Sequence, residues 1–416
     1  MTRSVFLVAI ILSLFLLTGC PKPEPVPIQQ AEKDYDRPLP PGQLALRKIT
    51  DPAMIPDFSA AFYTSQGSGL REAIQRSLNY LSKKSSQRFF PYGDITHANA
   101  VASLHAFLGV LSEAQSPADL NRIIRERFGV YISVGCDDRG TVLYTGYYTP
   151  IFNGSRQQTA QLRYPIYKLP PGFQKDVEGN PAGGPWKTRQ EIESSAMLAG
   201  NELVWLGDRF QSYVVTVQGS GQIRMPDGNL FEIGYAGNNG HDYVSIGKLM
   251  VADGRIPKEK LSLNAMLEYF AAHPQDIDPY VFRNPRYVFF QPAPGGPFGC
   301  LNEKVTPLYS IATDKDIFPR ACLAFLDTSL PREDGNSIRP YKGFALDQDR
   351  GAAIRAAGRC DVYTGIGDDP GRRAGFTYSE GKLYYLFLKD AGAGQMAGEP
   401  YGSEPPPAGS AAPESD

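Results

Sequence analysis

The helix-forming and strand-forming segments of this 416-residue chain do not alternate along the sequence. Three helices are expected first, because apolar residues recur there at helical spacing. Two of them carry these apolar positions: Leu70, Ile74, Leu78 and Leu81, then Val101, Leu104, Leu108 and Leu111. The third begins at Ser116-Pro117, a capping residue followed by proline, and ends at Gly129. Strands follow these helices, which excludes a parallel α/β sheet built from alternating units.

From Thr141 to Phe290 the pattern is mainly that of β-structure. The predicted strands are Tyr213–Val217, Gln222–Met225 and Leu230–Ile233, and a Pro-Asp-Gly-Asn turn separates the last two. One helix interrupts them, with Leu263, Met266, Leu267 and Phe270 on one face. A second β-rich region follows Gln291 and ends with a strand at Leu383–Lys389. We therefore expect a mainly β fold of barrels or sandwiches with appended α-helices.

The composition supports a globular β-protein and argues against a nucleic-acid partner. The chain contains 42 glycines and 35 prolines together with 23 tyrosines and 22 phenylalanines. Many turns combined with many aromatic residues favour short strands and long loops over a helical bundle. The formal net charge is only -2, which provides no general attraction for nucleic acid or for an anionic membrane surface.

The first twenty residues are typical of an export signal. Arg3 precedes the apolar run Val5–Leu17, which is too short to span a bilayer comfortably. The run ends in Leu-Thr-Gly-Cys20, which resembles the bacterial lipobox. We therefore expect residues 1–19 to be a signal peptide and Cys20 to carry lipid; the alternative is a plain secretory signal with a chance cysteine. Pro21, in place of aspartate, favours the outer membrane, facing the periplasm of a Gram-negative bacterium.

Both ends of the mature chain differ in composition from the body. Residues 20–40 are rich in proline and predict an extended tether, and residues 391–416 predict a disordered tail. Export implies an oxidising compartment, in which disulfides are stable. The remaining cysteines have no C-x-x-C spacing and leave three pairings open: Cys136, Cys300, Cys322 and Cys360.

Metal and serine chemistry are poorly supported. No two of the four histidines have the i, i+4 spacing of a zinc helix, so neither a metal nor another cofactor is expected. Ser220 lies in Val-Gln-Gly-Ser-Gly, but a nucleophile elbow requires Gly-x-Ser-x-Gly leading into a helix, and a strand is predicted here. A glycine-rich strand end with Gln218 and Ser220 is better suited to close contact with a polar ligand.

Carboxylates are concentrated in residues 345–375, which appear loop-rich in sequence and hold five aspartates: Asp347, Asp349, Asp361, Asp368 and Asp369. Asp361 begins a strand-like segment among Cys, Val and Tyr, where burial is expected to raise its pKa and let it carry a proton. The acid in glycosidic-bond cleavage needs this property. Structural roles as turn-formers or loop caps are favoured for Asp347, Asp368 and Asp369. For Asp349, a structural role and a functional role are equally supported.

The same stretch resembles the three-aspartate motif of the membrane-bound lytic transglycosylase A family. The matching residues are Gln348-Asp349, Ala353-Ile354, Arg359, Asp361, Tyr363, Gly365, Gly367 and Arg373-Ala374-Gly375. Four further segments are similar to family signatures and occur in family order: Tyr144–Pro150 with Tyr164–Tyr167, Val217–Gly221, Tyr235–His241 with Ser245–Gly247, and Asn284-Pro285 with Val288–Phe290. Five ordered matches are far more specific than one motif. Departures from the family pattern occur at Arg350-Gly351-Ala352 and Ala356-Ala357-Gly358.

The resemblance implies a double-psi β-barrel domain and a second, smaller β-barrel domain, with the substrate groove between them. Residues 41–149 would form the helical N-terminal part of the main domain, and residues 150–288 the inserted barrel. Residues 289–390 would complete the main domain with the three-aspartate barrel.

The resemblance also implies the chemistry: lytic cleavage of the β-1,4 bond between N-acetylmuramic acid and N-acetylglucosamine in peptidoglycan, with 1,6-anhydromuramoyl ends. Asp361 would be the catalytic acid/base and Asp349 its support. We expect the groove residues to be Thr145, Tyr147, Tyr148, Gln218, Gly219 and Ser220. Two alternatives stay open, a hydrolase that uses both carboxylates and a non-catalytic glycan-binding module.

Overall fold

The computed structural model describes residues 33–332 and 337–389. The predicted signal peptide, the lipidation site Cys20 and the predicted tail lie outside these residues. Within the described part, no helix combines the length and apolar character needed to cross a membrane. Two β-sheets and several helices make up the described chain.

The first third of the chain is helical, as the apolar spacing predicts. Its elements are β1 (Leu46–Lys48), α1 (Ser68–Ser82), α2 (His97–Glu113), α3 (Pro117–Arg127), β2 (Phe128–Ser133) and the 3-10 helices Pro52–Met54, Ser59–Ser65 and Lys84–Phe89. All three predicted helices are confirmed, and the Ser116 side chain caps α3 by accepting a backbone hydrogen bond. Phe128 already begins β2, slightly before the predicted helix end. The buried faces of these helices, including Leu70 and Leu104, pack into the main core.

A second region begins where the chain leaves β3 (Val142–Thr149). Its strands are β4 (Ile151–Ser155), β5 (Tyr164–Tyr167), β6 (Glu202–Leu206), β7 (Ser220–Arg224), β8 (Leu230–Asn238) and β9 (Val288–Pro292). Its helices are α4 (Arg189–Glu193), α5 (Arg209–Gln218), α6 (Ile246–Ala252), α7 (Leu263–Ala272), α8 (Ile277–Val281) and the 3-10 helices Lys258–Lys260 and Pro274–Asp276. The sheet order is β5-β6-β4-β7-β8-β9, and its end strands β5 and β9 also come into contact. The sheet therefore curls around its own core.

The rest of the chain returns to the sheet that contains β3. Its elements are β10 (Ser310–Ala312), β11 (Leu323–Pro331), β12 (Ile338–Asp349), β13 (Arg359–Ile366), α9 (Asp368–Phe376) and β14 (Tyr378–Leu388). Six strands close into a ring in the order β14-β11-β12-β10-β13-β3, because β3 also pairs with β14. The pairs β10–β12 and β13–β3 are parallel, and the other ring pairs are antiparallel. The expected mainly β fold with appended helices is confirmed.

The chain passes from the ring to the second sheet at one residue. Pro150 separates β3, a ring strand, from β4, a strand of the second sheet. Proline lacks the N–H that would continue a ladder, so pairing changes partners there. The last residues of β3 are therefore placed at the junction of the two sheets.

The predicted strand Tyr213–Val217 is wrong, because these residues lie in α5. Its run of β-branched and aromatic side chains favours a strand when considered alone. In the fold, the Asp208 side chain accepts a hydrogen bond from the Gln211 N–H and caps the helix, and Gly219 ends it in the left-handed conformation. Burial of one helical face, including Val214, against neighbouring helices outweighs the local preference.

The loop-rich interpretation of residues 345–375 is also wrong, because β12, β13 and α9 occupy most of that stretch. Asp368 and Asp369 are not in a loop but in the first turn of α9, where the helix dipole favours negative charge. Regular structure was missed because the segment contains many glycines and aspartates, which are the usual residues of turns.

Asp347 is a core residue rather than a turn-former. Its carboxylate is fully buried in β12 and pairs with the equally buried ammonium of Lys315. It also accepts hydrogen bonds from the Thr313 hydroxyl at 2.8 Å and the Tyr385 hydroxyl at 2.7 Å. A buried ion pair of this kind is stable because hydrogen-bond donors satisfy the carboxylate oxygens.

Replacing Asp347 by alanine is expected to lower the free energy of unfolding by about 3–5 kcal/mol, because the Lys315 charge would stay buried without its partner. Denaturant unfolding of the purified protein measures the change. The control is Asp369→Ala, which removes an exposed ion pair with Arg372 and should cost less than about 1 kcal/mol. Equal losses in the two variants would contradict this account.

Candidate active site

A short strand brings Asp349 and Asp361 to the same level of the barrel. β10 lies between β12 and β13, and Ala312 is the register partner of Asp349 on one side and of Asp361 on the other. Neighbouring strands are about 4.8 Å apart, so the two aspartate Cα atoms lie about 10 Å apart. The two carboxylates favoured by the sequence therefore belong to one site.

The alternation of side chains along β13 turns Asp361 away from the barrel interior. Cys360 and Val362 are buried, whereas Arg359 and Asp361 are only partly buried. Residues two apart in a strand share a face, so Arg359 and Asp361 project on the same side. The carboxyl of Asp361 is thus set in the barrel wall with a guanidinium beside it.

Burial raises the pKa of Asp361 to about 6. The Thr145 hydroxyl and the Arg359 guanidinium oppose this effect, and the nearby Asp349 carboxylate adds to it. The desolvation expected from the sequence is therefore the main cause of the raised pKa. A carboxyl whose pKa lies close to neutral pH can both give and take a proton during one reaction.

One oxygen of Asp361 has no partner among the described residues. Its Oδ1 and the Thr145 Oγ1 are both buried, and neither has a hydrogen-bond partner within this part of the chain. The two residues are register partners across β13 and β3, so the Thr145 hydroxyl is close enough to lower the pKa of Asp361 although the two groups do not have the geometry of a hydrogen bond. An unsatisfied buried polar atom costs about 1–3 kcal/mol, so such atoms in a protein call for an explanation. We interpret this pair as the place where polar atoms of a ligand bind.

Asp349 differs from Asp361 because both of its oxygens are satisfied. Oδ2 accepts a hydrogen bond from the Tyr147 hydroxyl at 2.8 Å, and Oδ1 accepts from the backbone N–H groups of Cys300 at 2.9 Å and Arg350 at 2.8 Å. Burial raises the pKa of Asp349, and these hydrogen bonds oppose the rise. The hydrogen bonds hold the carboxylate in place beside Asp361.

The end of α5 joins the second sheet to β3. The side-chain carbonyl of Gln218 accepts a hydrogen bond from the Tyr148 N–H at 3.1 Å. The Ser220 hydroxyl lies 3.2 Å from that of Thr149, which lies 3.0 Å from the Tyr363 hydroxyl in the barrel. Gln218 and Ser220 therefore connect the two regions at the level of the site.

Gly219 and Tyr148 contribute in different ways. Gly219 has a φ of 76°, and a Cβ there would meet no atom within 4 Å, so its backbone is open to a ligand. Tyr148 is buried, with its ring against Gly371. β3 turns this side chain inward onto α9, so the ring is placed for packing against the helix.

Two parts of the site carried no signal in the sequence. The Cys300 N–H that holds Asp349 comes from an irregular loop. Asp36 lies within the predicted tether, yet its carboxylate is 3.1 Å from Arg359 Nη1. Both contacts depend on long-range folding, which a local pattern does not reveal.

The other candidate side chains are engaged elsewhere or do not form clusters. His241 Nε2 lies 2.8 Å from the Trp186 carbonyl oxygen. Cys300, Cys322 and Cys360 are free thiols. Across residues 33–332 and 337–389, no group of three or more His, Cys, Asp or Glu side chains is arranged to hold a metal ion.

Comparisons with known proteins agree with this architecture. Residues 143–291 match the MltA specific insert domain, and residues 309–387 match the 3D domain. Membrane-bound lytic murein transglycosylase A of Escherichia coli K12 is 31% identical over 256 residues, which cover 61% of this chain and 67% of that protein.

Two solved structures extend the comparison to the fold. The membrane-bound lytic murein transglycosylase from Agrobacterium tumefaciens is similar with a TM-score of 0.67 at 23% identity, covering 83% of this chain and 98% of that one. E. coli MltA with bound chitohexaose is similar with a TM-score of 0.63 at 25% identity, covering 87% and 98%.

The matched domains, the closed barrel and the curled second sheet define a peptidoglycan-active glycan lyase of the 3D-domain type. The chain belongs to the membrane-bound lytic murein transglycosylase A (MltA) family. The resemblance found in the sequence motifs is thereby confirmed.

Replacing Thr145 by valine is expected to raise the pKa of Asp361 above about 6, because the hydroxyl lowers it and valine supplies no such group. NMR titration of the aspartate carboxyl carbons measures the change. Thr149→Val is the control, since its hydroxyl faces Tyr363 and Ser220 instead. An unchanged Asp361 titration in a folded Thr145→Val protein would be evidence against an effect of this hydroxyl on the Asp361 carboxyl.

Proposed function

We propose that this protein cleaves the β-1,4 bond between N-acetylmuramic acid and N-acetylglucosamine and leaves 1,6-anhydromuramoyl ends, with Asp361 as acid and base. The observation that carries the proposal is the Asp361 carboxyl, whose buried Oδ1 has no hydrogen-bond partner among residues 33–332 and 337–389 and whose pKa is about 6. The bound chitohexaose in the E. coli relative supports binding of an amino-sugar glycan.

The reaction begins with proton transfer from Asp361 to the glycosidic oxygen. The C1–O bond breaks, N-acetylglucosamine leaves with the proton, and positive charge develops on the muramoyl ring. The C6 hydroxyl of that ring then attacks C1 and gives its proton to the Asp361 carboxylate. No water is consumed and Asp361 ends protonated, so one carboxyl completes the cycle.

The neighbouring groups assist without sharing the proton. Asp349 places negative charge near the developing cation and disfavours ionisation of Asp361. Thr145, Tyr147 and the segment Gln218–Ser220 line the glycan groove at the junction of the two sheets. In this proposal the groove separates an inserted domain, residues 150–288, from a main domain made of residues 41–149 and 289–390.

A hydrolase that uses both carboxylates is the second candidate. Its base would need a carboxylate oxygen free to activate water. Donors from Tyr147, Cys300 and Arg350 already occupy both oxygens of Asp349. The arrangement therefore favours attack by the substrate's own hydroxyl.

Asp361→Asn is expected to lower cleavage of purified sacculi by at least about 10²-fold while glycan binding persists, because asparagine cannot exchange the proton. Mass analysis of the digest measures products; anhydro ends are one water lighter than reducing ends. Asp369→Asn, at an exposed position, is the control.

Reducing ends would support the hydrolase, and binding without soluble products would support a binding module. Strong activity in folded Asp361→Asn would exclude Asp361 as the acid.

The pH dependence follows from the same carboxyl. The reaction starts from protonated Asp361, and the protonated fraction falls as pH rises through the pKa of about 6. We therefore expect kcat/KM to decline above about pH 6 and Thr145→Val to move this decline to higher pH. A decline that the valine substitution leaves in place would argue against Asp361 as the titrating group.

The relatives are named membrane-bound, and we extend this to a lipid anchor at Cys20 in the outer membrane. The lipobox-like Leu-Thr-Gly-Cys20 after a short apolar run supports the anchor. Cys20→Ala should move the protein from the membrane fraction to the soluble periplasm, as fractionation and lipid labelling would measure. If the wild-type protein stays in the membrane fraction but takes up no lipid label, the lipid anchor at Cys20 is contradicted.

A further inference from the structure

Asp36 lies between the barrel and the second region and pairs with the arginine two residues before the proposed acid. Its Oδ1 is 3.1 Å from Arg359 Nη1 on β13, and its Oδ2 is 3.0 Å from Lys248 Nζ on α6. β13 is a ring strand, whereas α6 belongs to the region inserted after β3. One carboxylate therefore joins both regions at the site.

The residues on either side of Asp36 hold it in place. The Tyr35 hydroxyl donates a hydrogen bond to Glu380 Oε1 at 2.6 Å, and Arg37 pairs with Asp138 at 3.0 Å. The Tyr35 carbonyl packs so closely on Gly358 that a Cβ there would lie 2.6 Å from it. This segment is thus attached to β14 on one side of Asp36 and to the loop between β2 and β3 on the other.

Arg359 works against the proposed role of Asp361. The two side chains share a face of β13, and the guanidinium favours the charged form of the carboxyl, which lowers its pKa. The Arg359 side chain is only 11% exposed, so water screens its charge weakly. A proton donor beside such a cation needs an opposing charge.

We propose that Asp36 is a positioning residue for the reaction: it holds the Arg359 guanidinium and offsets its positive charge, so that Asp361 keeps its proton. The inference rests on the proposed function because it takes Asp361 as the proton donor. Asp36 acts through Arg359 and does not touch the substrate.

The other groups around Asp361 do not replace Asp36 in this role. Asp349 on β12 and Tyr147 on β3 also act on the acid, and they are hydrogen-bonded to each other rather than to Asp36. On β13 itself, the pKa of the buried Cys360 thiol is raised by burial, so the thiol is neutral. Lys248 is 71% exposed, so solvent screens its charge.

Asp36→Asn in the full chain removes the charge and keeps the shape of the side chain. We expect the pKa of Asp361 to fall by about half a pH unit or more, because Arg359 is then uncompensated. NMR titration of Asp361 measures this, and the decline of kcat/KM should move to lower pH by the same amount. Asp36→Glu should restore both values. Asp138→Asn is the matched control, since it releases Arg37 in the same segment and leaves the Arg359 pair intact.

An unchanged or higher pKa of Asp361 in folded Asp36→Asn would overturn the inference. An equal shift in Asp138→Asn would also overturn it, because loosening of the segment would then be the cause. The titration needs no turnover. Failure of the proposed function, seen as absence of anhydro products from the wild type, is therefore distinguishable from failure of this inference.

Discussion

The double pairing of one short strand determines the geometry of the site. β10 joins β12 in parallel and β13 in antiparallel orientation, and Ala312 faces Asp349 in one ladder and Asp361 in the other. A slip by one residue would turn every side chain of a strand to the opposite face, so the register also decides that Asp361 faces outward and Cys360 inward. The ring closure by β3 and β14 then places Thr145 opposite Asp361.

The electrostatic balance around Asp361 depends on that geometry. Burial makes the charged carboxylate of Asp361 unfavourable, Asp349 adds to this, and Arg359 opposes it. Each of these groups comes from a strand position set by pairing, whereas Asp36 comes from a segment far away in sequence. The buried pair of Asp347 and Lys315 also acts on the site, because the Lys315 charge lowers the pKa of Asp349.

The success of sequence prediction varied with the kind of signal. The helices α1, α2, α3 and α7 were predicted because each has one apolar face at regular spacing. α5 was mistaken for a strand, and α9 for a loop, because local composition suggested those structures while burial and capping decided otherwise. In the candidate site, the ordered motifs favoured Asp361 and Asp349, which the strand register brings to one level of the barrel, whereas the Cys300 N–H and Asp36 had no local pattern.

The sequence by itself determined the mainly β class, the N-terminal helices and the family resemblance, and it gave the proposal of Asp361 as the acid, since these follow from side-chain periodicity and ordered motifs. Tertiary structure decided that Asp347 is a core ion pair, that Tyr148 is buried and that Asp36 reaches Arg359. The physical reason is that burial, pKa and ion pairing depend on groups brought together by strand register and ring closure, and sequence distance does not encode these contacts.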